Sequence, residues 1–258
     1  MAIRGWKSVT RVTEPKMAEI APSSGPAAPV GAWRTAVVRE VSHSHPNAVR
    51  LRLDVPSRID HLPGQHYVIR LRAEDGYTAQ RSYSIASSPA QPGIELFVER
   101  LEDGEVSGFL ADVVMVGDEL EVRGPIGGWF VWRGDLPALL IGGGSGVVPL
   151  VSMVRHAREV GRLHLLKIAV SARSLADLPY ADELISAGAT VALSRVADPS
   201  ISRPAGRLAA ADLGPLVEGD ATAYVCGSTG FAEAASRLLI GAGVPSDVIR
   251  VERFGPTG

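Results

Sequence analysis

Between Ala138 and Leu150 the chain runs from Ala138-Leu139-Leu140-Ile141 into Gly142-Gly143-Gly144-Ser145-Gly146 and leaves through Val147, Leu150, Val151 and Val154. A short apolar run bounded by glycine suits a strand buried on both faces, as in a parallel sheet, and is too short for a helix. The later apolar residues recur at helical spacing, so a helix is expected from near Gly146, with Pro149 accommodated in its first turn. The glycines let the turn take positive φ and let a bulky group lie against bare backbone. Unpaired N–H groups and the positive dipole end at such a helix start suit a phosphate. The dinucleotide fingerprint G-x-G-x-x-G is incomplete, because Val147 stands at its third glycine, and no lysine completes a Walker-type loop. On this stretch alone, a tight strand-to-helix turn with no ligand stays open as the alternative.

Bulk properties narrow the classes. A chain of 258 residues is comfortable for two moderate domains. A formal net charge of −2 with 21% charged residues gives no broad basic field, so no nucleic-acid partner is expected. One cysteine, Cys226, excludes an internal disulfide, a four-cysteine zinc site and a cysteine-ligated iron–sulfur cluster within this sequence. His43 and His45 flank a Ser-His-Pro turn and read as solvated loop side chains, so no metal site is expected. Arg4 and Lys7 are not followed by a secretory pattern, and the most apolar window, Leu139 to Val154, stops short of a bilayer span. A cytoplasmic protein without membrane insertion is expected.

Taken in order, residues 1–32 carry Pro22-Ser-Ser-Gly-Pro-Ala-Ala-Pro29 and read as an arm or linker. From Trp33, strands are expected at Arg34–Val41, Val49–Val55, Tyr67–Leu71, Gln80–Ala86, Ile94–Arg100 and Glu119–Arg123, with a helical insert at about Val106–Val114. Six short strands with Gly, Pro and Asp turns argue an antiparallel β-barrel over residues 33–134. Beyond Pro137 strands alternate with helices: Ala138–Ile141, Leu165–Val170, Thr190–Ser194, Ala223–Cys226 and Val248–Val251, with helices at about Val147–Val160, Ala181–Ala187 and Phe231–Gly241. That alternation implies a five-stranded parallel α/β nucleotide-binding domain over residues 135–258.

The most informative stretch of the first half is Arg81-Ser82-Tyr83-Ser84. On a strand, Arg81 and Tyr83 share one face and Ser82 and Ser84 the other, which sets a guanidinium beside an aromatic plate. The guanidinium suits a phosphate and the ring a planar heterocycle, while an exposed strand with a surface ion pair explains the spacing equally well.

Arg81-x-Tyr83-Ser84, followed by a barrel end and by Gly142-Gly-Gly-Ser-Gly146, resembles the ferredoxin-NADP reductase family of flavoproteins, over about residues 33–258. The resemblance implies a six-stranded antiparallel Greek-key barrel binding FAD and an α/β domain binding NADP, without a fused iron–sulfur domain. It implies that Arg81 holds flavin phosphate with Ser82 beside it, that Tyr83 stacks on the isoalloxazine, and that the Ser84 hydroxyl lies near flavin N5. It places a pyrophosphate on the insert that opens at Gly104, on the N–H groups of Val106, Ser107 and Gly108. Gly124-Pro-Ile-Gly127-Gly128 matches the family's turn between the domains.

In the second domain the resemblance assigns the nucleotide to Gly143, Gly144, Ser145 and Gly146, and the nicotinamide end to Cys226-Gly227, with the Cys226 sulfur near nicotinamide C4. Taken alone, Cys226 reads as a small buried side chain. Glu252-Arg-Phe254 resembles the family's acidic-x-aromatic ending, which implies that Glu252 relays protons or orients the acceptor and that Phe254 shields the flavin; Gly255-Pro-Thr-Gly258 then follows where some relatives end. NAD-selective sheets end the second strand in an acid. Here it ends in Ser171-Ala-Arg173-Ser174, and the third ends in Ser194-Arg195, which resembles a pair that grips the 2′-phosphate of NADP, with Arg203 and Arg207 as further cations.

The expected activity is therefore an FAD-dependent oxidoreductase with Ser84, Cys226 and Glu252 as catalytic residues. It takes hydride from NADPH and delivers electrons to an acceptor protein supplied in trans: a ferredoxin, flavodoxin, oxygenase or other redox subunit. The rivals are a non-catalytic NADP-sensing subunit of a redox complex and a small-molecule reductase of ferric chelates or free flavin.

Overall fold

A computed structural model describes residues 31–255, so most of the expected arm, residues 1–30, lies outside the described residues. The chain divides into two compact units. The first takes in the described residues up to His61, then Gln65–Ser87 and Gln91–Ile126; the second takes in Leu62–Gly64, Ser88–Ala90 and Gly127 onward.

The first unit holds β1 (Trp33–His45), β2 (Ala48–Asp54), β3 (His66–Arg72), β4 (Thr78–Ser84), β5 (Ile94–Glu99), the helix α1 (Glu105–Asp112) and β6 (Glu119–Ile126). The strands pair antiparallel in the order β4-β3-β6-β1-β2-β5. Closure comes just past β4, where Ile85 bridges Leu96 and the Ala86 N–H donates to the Glu95 carbonyl at 2.8 Å. Alternation explains the wall: Val49, Leu51 and Leu53 of β2 are buried, and Arg50, Arg52 and Asp54 between them are half-buried. Inward residues Tyr67, Ile69 and Leu71 of β3 meet Leu51, Leu96 and Leu120, and Phe109 and Leu110 of α1 close the core.

β5 departs from alternation, with Ile94 to Val98 all buried. Its one acid in that run, Glu95, is tolerated because Arg52 Nη2 lies 3.2 Å from its carboxylate. His45, expected in a solvated turn, ends β1 half-buried and edge-on to Phe97 at 5.3 Å.

The second unit holds β7 (Ala138–Gly143), a 3-10 turn at Gly144–Val147, α2 (Val148–Glu159), β8 (Leu166–Ala172), α3 (Ala181–Ser186), β9 (Thr190–Leu193), α4 (Ala210–Leu213), β10 (Thr222–Ser228), α5 (Thr229–Gly241) and β11 (Ile249–Phe254). All five strands are parallel, in the order β11-β10-β7-β8-β9. Leu150, Val154 and Leu184 of α2 and α3 pack on one face, and Leu213, Ala235 and Leu239 of α4 and α5 on the other. Covered on both sides, β7 is apolar throughout its first four residues. The chain reverses its direction of sheet growth beside β7, between β8 and β10, which puts the ligand crevice of an open α/β sheet at the carboxyl ends of β7 and β10.

Candidate functional site

Each unit carries its own constellation. In the barrel, β3 and β4 pair with His66 opposite Ser84, Tyr67 opposite Tyr83 and Ile69 opposite Arg81. Arg81 and Tyr83 share the face of the core residues Tyr67 and Ile69, and Ser82 and Ser84 the opposite face. Arg81 is exposed although Ile69 opposite it is buried, and its Nη1 donates to the Gln80 carbonyl at 2.8 Å. Tyr83 is half-buried against the barrel core. Burial pushes its phenol well above the usual range, and the charge of Arg81 pulls the other way, a sign that cation and ring are close. Ser84 is 4% exposed, and its hydroxyl has no hydrogen-bond partner among the described residues. A buried, unpartnered hydroxyl costs about 1–3 kcal/mol and marks a place where a polar group is missing.

The helix start fits a phosphate less fully than the residue pattern suggests. Gly104 caps α1, and its lack of a Cβ makes room for the Ser107 hydroxyl, which accepts from the Leu101 N–H at 3.2 Å and donates to the Gly104 carbonyl at 3.3 Å. The Gly108 N–H is already bonded to the Gly104 carbonyl at 2.7 Å, so it is not available to a pyrophosphate. The amides of Val106 and Ser107 remain, with Glu105 beside them tied to the Tyr77 hydroxyl at 2.9 Å.

In the α/β unit the glycine turn has separate causes at separate positions. A Cβ on Gly143 would lie 2.6 Å from the Phe231 ring, and one on Gly146 would collide with the Cys226 carbonyl. Both are required by the protein's own packing of α5 and β10 against the turn. Gly144 differs: its φ is +55°, and nothing stands within 4 Å of where its Cβ would be. Gly144 therefore presents open backbone at the end of β7 beside Ser145, the one position of the cluster where a ligand can come close.

Cys226 and Glu252 are brought together by strand register, since β10 and β11 pair Cys226 with Glu252 and Ser228 with Phe254. Directly paired residues of neighbouring strands point to the same side. Cys226 is fully buried; burial first, and then the charge of Glu252, raise its thiol well above the usual range, so it is a neutral S–H. Burial pushes the Glu252 carboxyl up to about 7. Gly227 pairs with Arg253, and Phe254 packs against the cluster of its own unit that contains Tyr224 and Cys226.

At the other edge, the Arg195 N–H donates to the Arg173 carbonyl at 3.0 Å and the Val196 N–H at 3.1 Å, which draws the ends of β8 and β9 together. Arg173 and Arg195 are both exposed, and neither guanidinium has a partner among the described residues. Ser171 and Ser194 lie at the same strand ends. Asp177 caps the segment after β8, accepting from the Ser174 hydroxyl at 2.6 Å and its N–H at 3.1 Å. Arg203 is not a free cation as expected: it binds Asp212 through Nε at 2.7 Å and Nη2 at 2.9 Å, and also donates to the carbonyls of Pro204, Gly206 and Arg207. Among the described residues no cluster of three or more His, Cys, Asp or Glu could hold a metal ion, and no helix is long and apolar enough to cross a membrane.

Two residues that matter to these sites escaped the sequence. Phe231 lies under Gly143 and Gly227, and its only sequence signal is its place three residues after the helix-capping Ser228. His66 faces Ser84 across the sheet, a pairing set by register that carries no local sequence signal.

Residues 35–131 match the oxidoreductase FAD-binding domain family. The chain is 32% identical over 246 residues to the reductase component of propane 2-monooxygenase from Rhodococcus jostii (strain RHA1), an alignment covering 88% of this chain and 64% of that protein. It is 34% identical over 158 residues to the corresponding component from Gordonia sp. (strain TY-5), of which it spans 45%. The chain thus spans less than two thirds of the length of these relatives. Among solved structures, the Amycolatopsis cytochrome P450 reductase GcoB superposes with a TM-score of 0.72 at 25% identity, covering 90% of this chain and 73% of that one. The ferredoxin reductase in carbazole 1,9a-dioxygenase superposes with a TM-score of 0.71 at 25% identity, covering 89% and 71%. With a closed six-stranded barrel bearing Arg81, Tyr83 and Ser84 and a parallel sheet that pairs Cys226 with Glu252, the chain carries an oxidoreductase FAD-binding domain over residues 35–131 and resembles, along both units, the ferredoxin reductase type of oxidoreductase.

Proposed function

We propose that this protein is an NADPH-dependent FAD reductase that passes electrons to a separate one-electron acceptor, such as a ferredoxin or an oxygenase component. The observation that carries this reading is the register of Cys226 against Glu252, a neutral thiol beside a carboxyl with its midpoint near 7, at the carboxyl end of a parallel sheet. FAD, when bound, supplies the conversion between two-electron donors and one-electron acceptors.

On this reading the barrel holds FAD. Arg81 would bind its phosphate, with Ser82 alongside, and Tyr83 would offer its half-buried ring to the isoalloxazine. The Val106 and Ser107 amides after Gly104 would meet the pyrophosphate. The unpartnered Ser84 hydroxyl fits a cofactor polar atom, which would relieve the cost of burying it without a partner.

The α/β unit holds NADPH. The open backbone at Gly144 and Ser145, between Gly143 and Gly146, would take the nucleotide phosphates. Cys226 and Gly227 would border the nicotinamide, and the Cys226 thiol, uncharged and small, keeps water from that place without attacking the ring. Glu252 can hold or release a proton at neutral pH. Phe254, packed in its own unit, would bound the same end of the crevice. Arg173 and Arg195, with Ser171 and Ser194, would read the 2′-phosphate. In support, neither guanidinium has a partner among the described residues, while the acid that follows β8, Asp177, is committed to a cap.

The relatives named as reductase components of monooxygenase systems support an acceptor in trans. A cytoplasmic setting accords with a single buried thiol. The test is anaerobic addition of NADPH to the full chain reconstituted with FAD. The expected result is bleaching of the yellow colour, followed by reoxidation with ferricyanide; protein that takes up FAD and stays oxidised under NADPH overturns the reading.

A further inference from the structure

An open crevice of about 430 Å³ lies in the barrel unit between the β1–β2 turn, the end of β5 and the end of α1. That volume is within the range that takes a small organic molecule. None of the residues given to FAD or NADPH above lines it.

Its shape follows from register. Ser42 pairs with Arg50 and His45 with Ala48, so β1 carries one residue more than β2 over this stretch. Such a bulge bends the strand and re-aims the side chains in it. His43 and Ser44, the residues inside the bulge, line the crevice together with His45 and Asn47. The opposite wall is tied to the turn by the Arg100 N–H, which donates to the Asn47 carbonyl at 2.8 Å. From there the Arg100 side chain reaches α1, where its Nε lies 3.0 and 2.9 Å from the two carboxylate oxygens of Asp112.

The polar groups left over in these walls are donors. Asp112 takes only the Nε of Arg100, so both Nη groups have no partner among the described residues. His45 is fixed by two contacts: its ring stands edge-on to Phe97 at 5.3 Å, and its Nδ1 accepts from the Asn47 N–H at 3.5 Å. A neutral imidazole that accepts at Nδ1 carries its hydrogen at Nε2. His45 Nε2 is buried and has no partner among the described residues, so a donor here lacks an acceptor. Two open guanidinium N–H groups beside a fixed imidazole N–H ask for oxygen acceptors, and a guanidinium pairs best with a carboxylate or phosphate. Pro46 and Ala111 add apolar surface, which an inorganic ion would leave uncovered.

We propose that this crevice binds a small organic oxyanion, a carboxylate or phosphate carried on an apolar body, with its head on the Arg100 Nη groups and at His45. The site goes beyond the reductase reading and does not depend on it.

The probes are benzoate, phenyl phosphate, inorganic phosphate and benzylamine, each titrated into the full chain without NADPH and followed by backbone amide and histidine ring resonances. Benzoate or phenyl phosphate should give saturable shifts centred on the β1–β2 turn, Arg100 and the end of α1, with a Kd of about 1 mM or tighter. The tighter of the two identifies the head group. Arg100→Gln should weaken that binding at least about 10-fold, as should His45→Phe, which keeps a ring against Phe97 and removes both nitrogens. The absence of saturable shifts with both organic anions overturns the site. So does an Arg100→Gln variant that binds as tightly as wild type, inorganic phosphate that binds more tightly than phenyl phosphate, or benzylamine that binds more tightly than benzoate. Bleaching by NADPH should be the same in Arg100→Gln as in wild type, so wild-type protein that fails to bleach sinks the reductase reading and leaves this site standing.

Discussion

Glu252 carries a carboxyl whose charge the fold opposes, and the sign of that opposition can be measured. Its folded value of about 7 lies above the ordinary 4.5. A group raised in this way contributes its full stability below the unfolded value and loses it as pH climbs through the folded one. Glu252→Gln should therefore match wild type at pH 4 and exceed it by about 2 kcal/mol at pH 8.5 in urea unfolding, allowing for partial exposure. The same substitution should remove a step near pH 7 from the turnover profile. Arg195 makes a different demand on the chemistry. Arg195→Ala should cost NADPH about 10- to 100-fold in kcat/KM, the worth of a charge-assisted phosphate contact, and leave NADH within about 3-fold. Arg203→Ala should leave the NADPH-to-NADH ratio as it is and lower stability instead, because its guanidinium is held by Asp212 and three carbonyls.

At the scale of the element, the turn after β7 acts as a joint between two helices and two strands. Gly143 admits the Phe231 ring from α5, and Gly146 admits the Cys226 carbonyl of β10. Gly143→Ala and Gly146→Ala should each destabilise by about 1–3 kcal/mol, the usual range for overpacking. Phe231→Ala should rescue much of the first and none of the second in a double-mutant cycle read by thermal unfolding. β4 behaves as a different kind of element. It lies at the end of the strand order, and its inner face passes from buried Ala79 through exposed Arg81 to half-buried Tyr83.

At the scale of the whole molecule, the chain forms two compact units, and the proposed placing of FAD in the barrel alone makes a measurable difference between them. FAD at about 100 times its Kd should add about 2.7 kcal/mol to the unfolding free energy of the unit it binds. Hydrogen exchange with FAD present should slow amides of β3, β4 and α1 in the barrel more than those of β8 and β9; uniform slowing across both sheets would contradict barrel binding.

Much of this was written in local pattern. Alternation in Val49–Val55 marked a barrel wall, and the apolar run into glycine at Ala138–Gly146 marked the first strand and helix of the parallel sheet, because both signals depend on side-chain periodicity within a few residues. The Arg81-Ser82-Tyr83-Ser84 faces followed from the same two-residue period. The short α4 escaped because four residues carry too little periodicity to register, and the length of β1 escaped because strand ends are fixed by partners.

What the sequence determined by itself was therefore the kind of each element and the face each residue takes, since these are set by neighbours along the chain. Only the tertiary structure decided that Cys226 pairs with Glu252, that His66 pairs with Ser84, that Arg203 is bound while Arg173 and Arg195 have no partner among the described residues, and that Gly143 and Gly146 serve the protein's own packing while Gly144 stays open. Those pairings come from strand register and from helices crossing strands, which join residues far apart in sequence, and no local rule fixes which of them will touch.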